Sequence, residues 1–164
     1  MTPTVLLIED DENDVFLIKR AFARGSIPAD VRVARDGREA LRYLRGQGQY
    51  GDRKHHPVPL LTLLDLNLPH VHGLDVLKQI RLESRLRKLV VVVLTSSLAD
   101  SDIQQAYDLG ANSYLSKPTG LDELQQFVEL LGQYWLKENR TAGSRSAKLA
   151  QTGKSILPNP ELFE

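Results

Sequence analysis

Apolar residues gather in five short runs along the chain: Val5-Leu6-Leu7-Ile8, Val31 to Ala34, Leu60 to Leu64, Leu89 to Leu94, and Ser113-Tyr114-Leu115. The runs are rich in Val and Leu and mostly lack polar alternation, the pattern of strands covered on both faces. Helical spacing fills the gaps. Val15, Ile18 and Phe22 share a face that Gly25 terminates, and Ala40, Leu41 and Leu44 follow the turn signal Asp36-Gly37. Leu74, Leu77 and Ile80 follow Gly73, while Ile103, Ala106 and Leu109 end at Gly110. Thr119 with Asp122 predicts a capping box for a last helix whose apolar face reads Leu124, Phe127, Val128, Leu131, Tyr134 and Trp135. Strand and helix alternating five times predict an α/β fold, a doubly wound five-stranded parallel sheet with helices on both faces. The expected strand order is the flavodoxin-like 2-1-3-4-5, which places ligands outside the carboxyl ends of the strands.

Those ends carry the chemistry. Run one is followed by Glu9-Asp10-Asp11, run three by Asp65-Leu66-Asn67, run four by Thr95-Ser96-Ser97, and run five by Lys117-Pro118. Carboxylates crowded at one sheet edge repel, and a divalent cation with oxygen ligands relieves that cost. One carboxylate can then accept a phosphoryl group, with metal and Lys⁺ neutralising charge on the transferring oxygens and Thr95 supplying a hydroxyl. In the plain alternative, Asp10 and Asp65 only cap helices and Tyr114 is an ordinary half-buried aromatic; Asp11 is itself expected to be a first-turn acid favouring the helix dipole.

Composition narrows the classes. The 164 residues fit one domain of ordinary hydrophobic content, 41%. Lys plus Arg and Asp plus Glu both number 21, so the basic excess of a nucleic-acid binder is missing. With no cysteine, thiolate catalysis and Cys-ligated metals are excluded. No apolar stretch is long enough to span a bilayer, and Met1-Thr2-Pro3-Thr4 does not resemble a signal peptide, so a cytoplasmic protein without nucleic-acid or membrane partners is expected. His55-His56 and His70/His72 could in principle ligate a metal, but their loop positions favour solvated side chains. Gly46 to Pro59 reads as a long Gly- and Pro-rich loop.

The strand-end set resembles that of the receiver domains of two-component response regulators, over roughly Thr4 to Arg140. The resemblance implies that Asp65 is the phosphoacceptor. Asp10, Asp65 and the backbone carbonyl of Asn67 would hold Mg²⁺, with Glu9 acting through water. It assigns Thr95 and Lys117 to the switch, Tyr114 as the aromatic that swings inward, and a cis peptide before Pro118. Glu-Asp in place of Asp-Asp, the long loop and the extended last helix resemble stand-alone regulators of bacterial and cyanobacterial phytochrome kinases. That likeness implies a histidine kinase partner, phytochrome among the candidates, and a homodimer through the C-terminal helix and tail.

The expected organisation is a receiver over 1–140 and an extension over 141–164 that is flexible or docked on a partner. Such an extension is too short for an effector domain, so output by binding is expected. The protein would be no enzyme beyond its own phosphotransfer and slow autodephosphorylation. Two rival functions share parts of the pattern. A haloacid-dehalogenase-type phosphatase needs an acid two residues after its nucleophile, where Asn67 stands, and its acidic pair follows the Lys rather than opening the chain. A receiver-like module that binds independently of phosphorylation would be indifferent to Asp65→Asn.

Overall fold

The computed structural model describes residues 1–141. Five strands, β1 (Thr4–Ile8), β2 (Asp30–Ala34), β3 (Leu61–Leu64), β4 (Val91–Thr95) and β5 (Ser113–Ser116), form one parallel sheet in the order β2-β1-β3-β4-β5. This is the expected doubly wound order. The three central strands are wholly buried, whereas β2 and β5 at the edges are only partly covered. That gradient explains why the central runs are the most continuously apolar.

Five helices cover the sheet: α1 (Glu12–Arg24), α2 (Gly37–Arg45), α3 (Gly73–Leu82), α4 (Asp100–Asp108) and α5 (Leu121–Leu131). Alternation along β1 divides the interior. Val5 and Leu7 meet Val15, Ile18, Phe22, Leu124 and Val128 on one face. Leu6 and Ile8 meet Leu41, Leu44, Val76, Leu77 and Ile80 on the other. Past α5 the chain continues as a π-helical segment, Gly132–Glu138. Trp135 and Leu136 pack back on the first core, whereas Tyr134 is 58% exposed.

Several local details differ from the sequence reading. Asp11 is the N-cap of α1, accepting from the Asp14 N–H at 2.9 Å, rather than a first-turn acid. The capping box at Thr119 does not form. Gly120 is the N-cap of α5 without a side-chain bond, and Asp122 lies in the first turn, where its charge still favours the helix dipole. The Lys117–Pro118 peptide is trans, not cis. Trans is the lower-energy isomer of an X–Pro bond by about 0.5–1 kcal/mol, and Lys117 reaches the site in it. His56 is not a solvated loop residue. Its ring stands edge-on to Tyr43 and Tyr50, with centroids at 6.0 and 5.1 Å, and Arg53 donates to the carbonyls of Tyr43, Leu44 and His56. The loop after α2 is therefore self-packed around a 3₁₀ turn, Gly48–Tyr50. His55, His70 and His72 are exposed as expected, and His72 caps α3 through Nδ1. No helix among the described residues is long and apolar enough to cross a membrane. The extension expected over 141–164 lies outside the described residues from 142 onward.

Candidate functional site: an acidic cluster held by Lys117

Sheet register brings the candidate residues to one edge. Ile8 pairs with Leu64, and Thr95 with Ser116. The ladder then runs one residue further, through Glu9 N–H to Ala34 O (3.0 Å), Asp65 N–H to Ile8 O (3.1 Å) and Lys117 N–H to Thr95 O (3.0 Å). The backbones of Glu9, Asp65 and Lys117 are thus fixed by strand hydrogen bonds, although their side chains belong to the site.

The side chains converge. Glu9, Asp10 and Asp65 each offer an oxygen within 4.8 Å of the others, two of them buried and Asp10 exposed. This is the one such cluster of three potential ligands among the described residues, and it contains no histidine. Its donors are all carboxylate oxygens, the hard set that suits a Mg²⁺- or Mn²⁺-like ion with water completing the shell. The open side at Asp10 leaves room for that water. The cluster fits a divalent metal.

Lys117, 15% exposed in its side chain, counters the carboxylates. Its Nζ lies 2.6 Å from Glu9 Oε2, 3.0 Å from Asp65 Oδ2 and 2.9 Å from Asp14 Oδ2. Burial works against its charge, but hydrogen bonds to Asp14, Glu9 and Asp65 outweigh it and hold the ammonium pKa above the ordinary lysine value. Glu9 is 1% exposed. Burial pushes its pKa up to about 7, against the pull of Lys117 and the Asp11 N–H at 3.0 Å, and the Asp65 charge adds to the rise. The Asn67 N–H donates to Asp65 Oδ1 at 3.3 Å.

Thr95 ends β4 fully buried, and its Oγ1 accepts a long 3.4 Å bond from the Ser97 N–H. Tyr114 lies on β5 beside Thr95's strand, its ring against the small cluster of Leu66, Leu74, Val93 and Ala106. Its hydroxyl donates to the Ser97 carbonyl at 2.9 Å. Ser97 Oγ donates in turn to Asp102 Oδ2 at 2.6 Å. Ser97 therefore joins Thr95, Tyr114 and α4. Sequence reasoning did not find the Tyr114 and Asp102 contacts to Ser97, nor Asp14, whose partner Lys117 is 103 residues away.

The arrangement defines a doubly wound α/β protein with an acidic, lysine-buttressed site at the carboxyl edge of its sheet. The family model for the response regulator receiver domain matches residues 5–129, and the chain belongs to that family. It is 44% identical over 139 residues to the probable methanogenesis regulatory protein FilR2 of Methanothrix harundinacea, covering 85% of this chain and 87% of that one. Among solved structures it resembles the phosphorylated cyanobacterial phytochrome response regulator RcpA, with 38% identity and TM-score 0.80 over 86% of this chain and 99% of that one. It also resembles the Mn²⁺-bound form of Rcp1, a response regulator of Synechocystis, with 34% identity and TM-score 0.76 over 85% and 99% of the two chains. The chain is thus a receiver domain related to phytochrome response regulators.

Proposed function

We propose that this chain is a phosphorylation-driven binding switch with Asp65 as its phosphoacceptor. The supporting observation is the Asp65 carboxylate itself, held at the end of the central strand β3 with Lys117 Nζ 3.0 Å from Oδ2. A partner histidine kinase donates from its phosphohistidine: the N–P bond breaks, an Asp65 O–P bond forms, and the imidazole is left to be reprotonated from solvent. Asp10, Asp65, Glu9 through water and the Asn67 carbonyl would hold Mg²⁺, which when bound neutralises charge on the phosphoryl oxygens. Lys117 supplies a positive charge on the other side, and Thr95 the hydroxyl that hydrogen-bonds a phosphoryl oxygen. A move of Thr95 reaches Tyr114 through Ser97, so the surface around α4, β5 and α5 changes shape. Slow hydrolysis of the acyl phosphate resets the switch.

Likeness to the phytochrome response regulator RcpA supports a phytochrome-type kinase as donor, and the higher identity to the methanogenesis regulatory protein FilR2 supports one outside light signalling. Phosphotransfer rates from one kinase of each kind separate the two. A cytoplasmic location suits both. The groove of about 320 Å³ bounded by Leu115, Phe127, Leu130, Tyr134 and Trp135 supports a homodimer through the C-terminal region.

The test is an amide NMR titration with Mg²⁺ and beryllofluoride, an acyl-phosphate mimic. Shifts at Thr95, Ser97 and Tyr114 are expected, and Asp65→Asn should abolish them. A folded protein with no shift overturns the switch, as does an unchanged response in Asp65→Asn.

A further inference from the structure

Lys117 touches three carboxylates, but they are not equivalent. Glu9 and Asp65 belong to the cation cluster; Asp14 does not. A cation bound in that cluster, or a phosphoryl group on Asp65, calls on the same carboxylates that Lys117 now holds. The bond to Asp14 is the one of the three that such occupancy leaves alone. Asp14 is built for this position. It lies in the first turn of α1, its own N–H is fixed by Asp11 Oδ1 at 2.9 Å, and the helix dipole favours its charge. Its side chain is 35% exposed, so solvent screens the pair without dissolving it.

We propose that Asp14 is a positioning residue for phosphoryl transfer, a tether that keeps the Lys117 ammonium over the site while its other partners change. Without it, a lysine released by Glu9 and Asp65 gains rotamer freedom and open water as competitors for the phosphoryl oxygen. The inference rests on the phosphoacceptor reading of Asp65 above. It also gives Asp14 a role distinct from that of the neighbouring acids, since it neither ligates the cation nor touches the phosphoryl group.

The experiment measures beryllofluoride affinity at saturating Mg²⁺ by NMR for wild type, Asp14→Asn, Asp14→Ala, Lys117→Ala and the Asp14→Ala/Lys117→Ala double variant, with thermal unfolding as a control on folding. Asp14→Ala should weaken the mimic about fivefold, the scale of a partly exposed charge-assisted hydrogen bond. Asp14→Asn keeps an acceptor oxygen and should recover part of that loss. In the Lys117→Ala background the Asp14 substitution should have no effect, which is the signature of action through that lysine. Equal losses in both backgrounds would mean that Asp14 only supports α1, and would overturn the proposal. So would an Asp14→Ala protein that binds like wild type. Failure of wild type itself to bind would instead remove the phosphoacceptor reading, and this inference with it.

Discussion

Gly73 begins α3 directly beneath the proposed phosphoacceptor, and its missing side chain is a geometric requirement. A Cβ there would lie 2.3 Å from the Asp65 carbonyl oxygen and 2.6 Å from Leu66 Cα, both backbone atoms. Ordinary contact begins at 3.4 Å, so Gly73→Ala must drive the helix start and the Asp65 segment apart by about 1 Å. The 2.9 Å bond from the Gly73 N–H to Leu66 O stretches with them. Overpacking of this kind costs about 1–3 kcal/mol, which at a slope of about 1–3 kcal/mol per molar urea moves the unfolding midpoint by about 1 M. The functional cost should be larger in proportion, because a 1 Å misplacement of a reacting group can cost about a hundredfold. The assay pairs urea unfolding with the beryllofluoride titration, and Gly120→Ala is the control, since a Cβ there meets nothing nearer than 3.8 Å. A Gly73→Ala protein with wild-type midpoint and wild-type affinity would refute the argument that this close approach sets the position of Asp65.

Two further predictions concern buried polar groups. Glu9 has a folded pKa of about 7 against an unfolded value of 4.5, so the folded state binds the extra proton between those values and stability falls as pH rises through that window. Metal-free protein should lose up to about 3 kcal/mol from this group between pH 4.5 and 7, and Glu9→Gln should flatten that part of the urea-midpoint profile; parallel profiles would contradict the assignment. Thr62 Oγ1 is fully buried on β3 with no hydrogen-bond partner. Thr62→Val keeps the shape and removes the stranded hydroxyl, so it should raise stability by about 1 kcal/mol, and a lower midpoint would show that the oxygen is satisfied after all.

How far the sequence carries depends on the range of the interaction involved. Val5–Ile8 and Leu61–Leu64 are buried on both faces, so an unbroken apolar run was enough to find them, and handedness left few orders besides the doubly wound one. Glu9, Asp10, Asp65 and Lys117 were legible because each follows a strand end by one or two residues, a position that a linear pattern can mark. Asp14 was not, since its meaning comes from an ammonium on the far side of the chain. His56 was misjudged for the same reason: its edge-on packing against Tyr43 and Tyr50 is a tertiary fact, whereas Gly and Pro around it signal only a loop. The helix-cap error at Thr119 is different in kind. Thr119 and Gly120 are both acceptable N-caps, and a shift of one residue decides which side chain could serve.

The division of the interior by the alternating side chains of β1 bears on how a signal could travel. Val5 and Leu7 are locked into one packed layer, Leu6 and Ile8 into the other, so sliding the strand would unseat both at once. A phosphoryl group arriving at Asp65 would meet two tightly packed layers beneath it, which resist being displaced. At the rim, by contrast, the strand-end loops are joined by single hydrogen bonds, with Ser97 strung between Thr95, Tyr114 and Asp102. On the proposed function, a signal from Asp65 would run sideways along that edge, as along the lip of a bell, while the wall beneath keeps its shape.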